Sequence, residues 1–111
     1  MTYLNINDLE KLGKNLVNAD LRAGNFSFAD LGCADLRGTN LQGANLSDAD
    51  LHNADLRCAN LIDVDLRYAD LTGAKLDGAN LDGADLFTAN ITNASFDNAN
   101  LNDVNLDEAY I

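Results

Sequence analysis

The sequence lacks proline and tryptophan, and aromatic residues make up only 6% of its 111 positions. It holds two cysteines and one histidine, too few for a disulfide framework or for the four clustered nitrogen and sulfur ligands of a zinc site. No apolar run reaches the roughly 18 residues of a membrane-spanning helix. We therefore expect one small domain without a metal, a cofactor or a membrane segment.

Positive charge is also scarce, because 7 basic residues stand against 18 acidic ones and leave a net charge of −11. Nucleic acids bind basic surfaces, so direct binding of nucleic acid is not expected. The apolar fraction of 47% is high enough for a folded core. The segment Met1–Leu9 has neither the basic stretch nor the apolar run of a secretory signal, which predicts a cytoplasmic protein.

A five-residue repeat organises the rest of the chain, since every fifth residue from Leu16 to Ile111 is large and apolar. These 20 positions hold 16 leucines, two phenylalanines and two isoleucines. The residue two places earlier is alanine at 15 of 19 positions, and the residue between them is almost always Asp or Asn. The exceptions at the small position are Gly24, Thr39, Val64 and Val104, and those at the middle position are Lys75, Ser95 and Tyr110.

A period of five fits neither an α-helix nor a straight strand. Five helical steps advance about 500° and spread the leucines around the helix, whereas in a strand successive leucines alternate faces. A bend in every repeat removes the conflict, because the small residue and the leucine then point inward and the middle residue points outward. The two remaining residues, the first turn position and the corner, then turn the chain into the next repeat.

The corner residues agree with such a turn. Gly, Asn or Asp occupies 12 of 19 corners, and these residues tolerate the positive φ that a type II turn requires. Four corners hold bulkier or less tolerant residues and are expected to use a different turn: Phe28, Cys33, Cys58 and Tyr68.

The predicted architecture is an all-β solenoid, in which successive coils pair at the strand spacing of ~4.8 Å around a leucine axis. The unit Ala-(Asp/Asn)-Leu-x-x resembles that of the pentapeptide repeat proteins over residues 14–111, and is similar to short cyanobacterial members. The resemblance implies a right-handed quadrilateral β-helix with four repeats per coil, or about five coils in all. Comparison of repeats within the sequence does not by itself choose between three and four. The β-helix would span residues 16–111, after an N-terminal cap of residues 1–15.

The cap is predicted to contain a short helix that covers the first coil. Asn7 and Glu10 have the spacing of a capping box, Leu9 and Leu12 would face the coil, and Gly13 would end the helix.

At the other end, the repeat continues in register to Tyr110 and Ile111. An uncovered coil exposes apolar surface and unpaired backbone groups. The chain is therefore expected to be either a monomer or an end-to-end homodimer whose interface includes these two residues.

A coil of four repeats arranges the outward side chains in columns. Asp30, Asp50 and Asp70 would stack about 4.8 Å apart, with Asp35 and Asp55 beside them. Two interpretations stay open: a solvated surface that is simply acidic, or an acidic face that binds a partner.

The remaining reactive side chains are expected to have no special role. Cys33 and Cys58 are separated by five repeats and lie in different columns, so they should be free thiols. His52 is expected to be a surface residue, since no nucleophile is indicated beside it. Arg67 and Phe87, which are separated by four repeats, are expected to stack as a cation–π pair.

No phosphate-binding loop, dinucleotide fingerprint, nucleophile elbow or zinc-protease motif occurs, so no catalytic or cofactor-binding residue is predicted and the protein is not expected to be an enzyme. The first functional hypothesis is a scaffold that presents flat faces to an unidentified protein partner. The second comes from the resemblance, because some family members are acidic rods that occupy the DNA site of gyrase. A charge of −11 over about 24 Å gives a charge per unit length close to that of duplex DNA. The chain lacks, however, the projecting loops of gyrase-protecting members.

Overall fold

The computed structural model describes residues 4–111, apart from the side chain of Glu10. In this described part of the chain, one helix is followed by a ladder of turns, in which parallel β-bridges join each middle position to the middle position four repeats further on, as from Asn40 to Asn60. One coil therefore holds four repeats, as the family resemblance implied. The described residues form isolated bridges rather than longer strands, because two of every five residues lie in a turn.

The turns are uniform from the first repeat to the last. The N–H of each small residue donates to the carbonyl of the leucine three places earlier, as from Ala54 to Leu51 at 3.0 Å. Every corner residue has a positive φ, between 54° and 73°. From Asn18 to Thr88, the amide of each corner residue also donates to a carbonyl of the next coil, as from Cys58 to Asp77 at 3.0 Å.

The expectation of a different turn at the bulky corners is wrong. Phe28, Cys33, Cys58 and Tyr68 have φ values of 60–63°, close to the values at the glycine corners. A left-handed conformation costs an L-residue about 1–2 kcal/mol. The hydrogen bonds to the neighbouring coil and the burial of the adjacent leucine outweigh that cost, so the coil imposes one turn on every side chain.

The leucine positions form a continuous central core. Each of them from Leu16 to Leu86 is at most 2% exposed, and the small positions from Ala29 to Ala89 are buried to the same extent. From Leu16 to Leu86, the N–H at each of these positions donates to the carbonyl of the middle residue in the next coil, as from Leu61 to Asn80 at 2.7 Å. Burial of each leucine contributes roughly 1.5–3 kcal/mol to stability. The inward direction predicted for the small residues and the leucines is confirmed.

Two exceptions to the small alanine have local explanations. A Cβ at Gly24 would overlap the ring of Phe26 and the carbonyl of Leu4, so the larger phenylalanine and the N-terminal segment both require glycine there. Thr39 is fully buried, and its hydroxyl donates to the carbonyl of Leu36 at 2.8 Å. A hydroxyl satisfied by the turn can therefore replace an alanine methyl.

Thr88 is the least suited of the corner residues. It is β-branched at a φ of 59°, and its buried hydroxyl has no hydrogen-bond partner. We expect Thr88→Gly to raise the free energy of unfolding in urea by about 1 kcal/mol, since it removes both penalties and adds the smaller entropic cost of glycine. Asn93→Gly is the matched control and should change stability by less than half as much, because asparagine tolerates this conformation. A loss of stability in Thr88→Gly would contradict this reading of the corner.

The N-terminal helix α1 spans Ile6–Leu12 and begins with a capping box that differs from the predicted one. The side chain of Asn5 accepts hydrogen bonds from the amides of Asn7 and Asp8, and the side chain of Asp8 accepts one from the amide of Asn5. Asn5 is extended, with a φ of −133°, whereas Asn7 already lies inside the helix. The assignment of Asn7 as the cap residue is therefore wrong.

The buried face of α1 is also only partly as predicted. Leu9 is 6% exposed and packs on the core, but Leu12 is 51% exposed. Leu12 is the last residue of the helix, and the chain leaves it at Gly13, which has a φ of 72° and donates to the carbonyl of Leu9. Ile6 instead packs beside Leu9.

Candidate interaction surfaces

The coil assembles the acidic column, because bridges join Asp30 to Asp50 and Asp50 to Asp70. Lys14 Nζ lies 3.3 Å from Asp30 Oδ1. His52 Nδ1 lies 2.6 Å from Asp50 Oδ1, and Asp70 accepts a hydrogen bond from the hydroxyl of Thr72. Each of the three carboxylates thus has a local partner that reduces the repulsion within the column.

Asp35 and Asp55 form a second column, on the next side of the coil, and arginines neutralise them. Arg37 donates to Asp35 at 2.8 and 2.7 Å, and Arg57 donates to Asp55 at 2.9 and 2.7 Å. Arg37 also lies 3.9 Å from Asp55, which links the two coils. Hydrogen bonds from Arg37 lower the pKa of Asp35, and those from Arg57 lower the pKa of Asp55.

These ion pairs arise from a tripeptide that the sequence interpretation overlooked. Asp-Leu-Arg occurs four times, and because the leucine points inward, the two charged residues point outward together. Exposed pairs of this kind contribute little to stability, because solvent screens the two charges. The four pairs are Asp20–Arg22, Asp35–Arg37, Asp55–Arg57 and Asp65–Arg67.

The least compensated acidic surface lies in the second half of the coil. Ion pairs among the described residues all lie between Lys14 and Arg67. After Arg67 there are eight acidic residues and one basic residue, a net charge of −7, against −4 for the part up to Arg67. We call this part, from Asp70 to Glu108, the acidic half. Its carboxylates are Asp70, Asp77, Asp82, Asp85, Asp97, Asp103, Asp107 and Glu108.

The Asp50–His52 pair should make stability depend on pH. The hydrogen bond to Asp50 raises the pKa of His52, and Asp70 and Asp30 add to the effect. The stabilisation is therefore fully present below about pH 6.5 and is lost as the pH rises through the folded-state pKa. We expect His52→Gln to lower the midpoint of thermal unfolding more at about pH 5.5 than at about pH 8.5. Equal losses at both pH values would show that the pair contributes no such linkage.

Contacts between consecutive coils also bring together residues that are 19 positions apart, of which Cys33 and His52 are one pair. Cys33 Sγ lies 3.9 Å from His52 Nε2, so the expectation that no nucleophile lies beside His52 is wrong. By the same relation, the rings of Tyr68 and Phe87 meet edge to face, with centroids 5.8 Å apart. The predicted stacking of Arg67 on Phe87 is wrong as well, because the guanidinium of Arg67 donates to the carboxylate of Asp65 and the ring of Phe87 packs against Tyr68.

Both cysteines are exposed and free, which confirms the prediction of free thiols. Within residues 4–111, no group of three or more His, Cys, Asp or Glu side chains is placed to hold a metal ion. None of the described residues belongs to a helix that is long and apolar enough to cross a membrane.

The last coil leaves the core open at one end. Leu101 and Leu106 are 42% and 41% exposed, whereas leucines at the equivalent positions one coil earlier are buried. Tyr110 and Ile111 are more exposed still, at 62% and 92%. This open end combines an apolar surface with neighbouring carboxylates of the acidic half.

The sequence profile of the pentapeptide repeats matches eight copies within residues 29–67, 65–103 and 84–111. The chain belongs to the pentapeptide repeat family. This assignment agrees with the coil of four repeats and with the five-residue turn pattern. No curated protein matches the chain significantly.

Solved structures of other family members resemble the chain along most of its length. The pentapeptide repeat protein Rfr23 from the cyanobacterium Cyanothece 51142 is 36% identical, with a TM-score of 0.67, over 83% of this chain and 59% of its own. A pentapeptide repeat protein from the Arabidopsis thaliana thylakoid lumen is 33% identical, with a TM-score of 0.79, over 81% and 63%. A trypsin-treated variant of QnrB1, a plasmid-mediated fluoroquinolone resistance protein, is 25% identical, with a TM-score of 0.80, over 87% and 51%. The chain thus spans less than two thirds of the length of these relatives.

Proposed function

We propose that the protein is a non-enzymatic scaffold, a right-handed β-helix that binds a basic surface of a protein partner through its acidic half. The observation that supports this most directly is the uneven compensation of charge. Arginines pair with four carboxylates of the first coils and leave that part with a net charge of −4, whereas the acidic half carries a net charge of −7 with Lys75 as its one cation. The chain hydrogen-bonds coil to coil, so its faces are rigid and little conformational entropy is lost on binding.

Two sets of variants can test where a partner binds. In the first, Asp77, Asp82, Asp97 and Asp103 are changed together to asparagine, and in the control Asp30, Asp48, Asp50 and Asp63 are changed in the same way. Both sets remove four charges. We expect a partner captured by the wild-type chain to be lost with the first set and retained with the second. Retention by the first set would contradict binding through the acidic half.

A DNA mimic that binds a DNA-handling enzyme such as gyrase is the second candidate. Its support is the local charge density, since −7 over about two coils, or roughly 10 Å, gives about 0.7 charge per Å, against about 0.6 for duplex DNA. Structural similarity to QnrB1, a fluoroquinolone resistance protein, is consistent with this candidate. Inhibition of gyrase supercoiling by the wild-type chain, and its loss in the acidic-half variant, would support it. No inhibition at high micromolar protein would exclude it.

We also propose that the protein is cytoplasmic.

We propose further that two copies associate through the open end. Stacking of the last coils would bury Leu101, Leu106 and Ile111, but it would also bring two acidic halves together. Association should therefore strengthen as salt screens the repulsion. Sedimentation equilibrium at several concentrations tests this, with Leu106→Glu as the variant that should stay monomeric. A wild-type chain that is monomeric at every salt and protein concentration would leave the monomer as the functional form.

A further inference from the structure

Cys33, His52 and Asp50 form a chain of contacts that the scaffold function does not use. Cys33 Sγ lies 3.9 Å from His52 Nε2, and His52 Nδ1 lies 2.6 Å from Asp50 Oδ1. In the neutral ring, the proton sits on Nδ1 because Asp50 can only accept it. The lone pair of Nε2 is then free to accept the thiol proton. The order of groups, nucleophile, base and carboxylate, is the one that activates cysteine nucleophiles.

The backbone around the three side chains fixes this arrangement. His52 donates its amide proton to Asp50 at 3.1 Å, so the carboxylate holds both the backbone and the ring of the histidine. The ring lies over Gly32, where a Cβ would overlap it. The absence of a side chain at residue 32 therefore allows the imidazole to reach the neighbouring thiol. Cys33 is exposed, so a reagent can approach its sulfur from solvent.

We infer that Cys33 is a base-assisted thiol that undergoes exchange with low-molecular-weight disulfides. The thiol proton passes to His52 Nε2, and the thiolate attacks one sulfur of the disulfide. The disulfide bond breaks, a mixed disulfide forms on Cys33, and the departing thiolate takes up a proton. The disulfide is itself the oxidant, so no other co-reactant is needed.

The charges around the site select the class of disulfide. Asp30, Asp50 and Asp70 lie in the column beside His52, and Lys14 is bound to Asp30 and to the carbonyl of Gly32. Lys14 pairs with Asp30 and His52 with Asp50, whereas Asp70 is bonded only to the neutral hydroxyl of Thr72, so the site remains anionic. The pKa of His52 is raised by these carboxylates, which favours the imidazolium that forms on proton transfer. A cationic disulfide such as cystamine should react faster than an anionic one such as glutathione disulfide, and salt should reduce the difference.

Cys58 provides an internal control with the same backbone. It occupies a corner with the same φ of 60°, and its thiol is also exposed and free. His52 lies 19 positions after Cys33, and the residue 19 positions after Cys58 is Asp77. Cys58 therefore has a carboxylate at the position where Cys33 has a histidine. Arg37 and Arg57 line the same surface depression as Cys58, and although both are paired with carboxylates, the surroundings of Cys58 are less anionic than those of Cys33.

The test uses the full chain with one thiol at a time, Cys58→Ser to retain Cys33 and Cys33→Ser to retain Cys58. With cystamine at about pH 7, we expect Cys33 to react about tenfold faster in the Cys58→Ser variant than in the Cys58→Ser/His52→Gln variant. Asp50→Asn should give a smaller decrease. The same His52→Gln change should leave the rate of Cys58 unaltered, which also shows that the coil is intact.

The pH profile separates base assistance from simple exposure. Assistance predicts that the rate depends less on pH in Cys58→Ser than it does once His52 is replaced as well. A further expectation is that the ratio of cystamine to glutathione disulfide rates is higher for Cys33 than for Cys58. Equal cystamine rates for Cys33 with and without His52, with the same pH profile, would overturn the inference.

Discussion

Replacement of Leu61 with alanine should lower the free energy of unfolding by about 2–5 kcal/mol. Leu61 is fully buried and shares a column with Leu41 and Leu81, which are also fully buried. The backbone around Leu61 cannot collapse into the cavity, because its amides and carbonyls are hydrogen-bonded to the coils on both sides. The amide of Leu61 donates to the carbonyl of Asn80, and the amide of Leu41 donates to the carbonyl of Asn60. Urea denaturation of the variant measures the loss.

Leu101→Ala is the matched control for this prediction. Leu101 belongs to the same column but lies in the last coil and is 42% exposed. Its truncation should cost less than half as much, because little new cavity is formed. If the two substitutions were equally destabilising, the cost would not come from the central core.

Ala54→Leu should destabilise the protein by about 1–3 kcal/mol through overpacking. Ala54 is fully buried, with Ala34 and Ala74 above and below it at 1% exposure. The coil has no space for the larger side chain there unless backbone hydrogen bonds lengthen. The midpoint of thermal unfolding should fall accordingly.

The control is Ala94→Leu, in the same column but in the last coil, where the residue is only partly buried. The added side chain can extend into the open end, so we expect a much smaller change. An unchanged melting temperature in Ala54→Leu would mean that residue 54 does not point into the core.

The sequence can predict the core because the feature that determines it is local and repeated. Ala54 and Leu56 are two residues apart, so one extended segment sends both inward, and a bend in every repeat follows from the period of five. The number of repeats per coil cannot be derived in this way. It depends on how four turns close a ring, and outward residues such as Asn40 and Asn60 carry little information about it.

The prediction for the bulky corners fails because it gives too much weight to the propensity of single residues. Tyr68 and Cys58 favour other conformations as isolated residues, but the amide of each is hydrogen-bonded to the next coil. Cooperative hydrogen bonding along the solenoid therefore overrides the preference of a single residue. The same neglect of neighbouring coils hides the contact between Cys33 and His52, which lie 19 positions apart.

The capping box is mispredicted for a different reason. Asn5-Asp8 and Asn7-Glu10 have the same spacing, so the pattern alone does not choose between them. The choice depends on which register packs the helix on the first coil. With Asn5 as the cap, Leu9 is buried, and Ile6 packs beside it.

Amide hydrogen exchange, followed at each position, tests most directly whether the chain turns once per repeat and pairs with the coil four repeats away. In the central coils, the amides of the leucine, corner, small and middle positions donate to backbone carbonyls. The first turn position donates only to the side chain two residues earlier, as from Ile62 to Asn60 at 3.1 Å. We expect one fast-exchanging amide in every five, at Gln42, Ser47, His52, Arg57, Ile62, Arg67 and Thr72. Protection without a five-residue period, or leucine amides that exchange as fast as these, would contradict the coil.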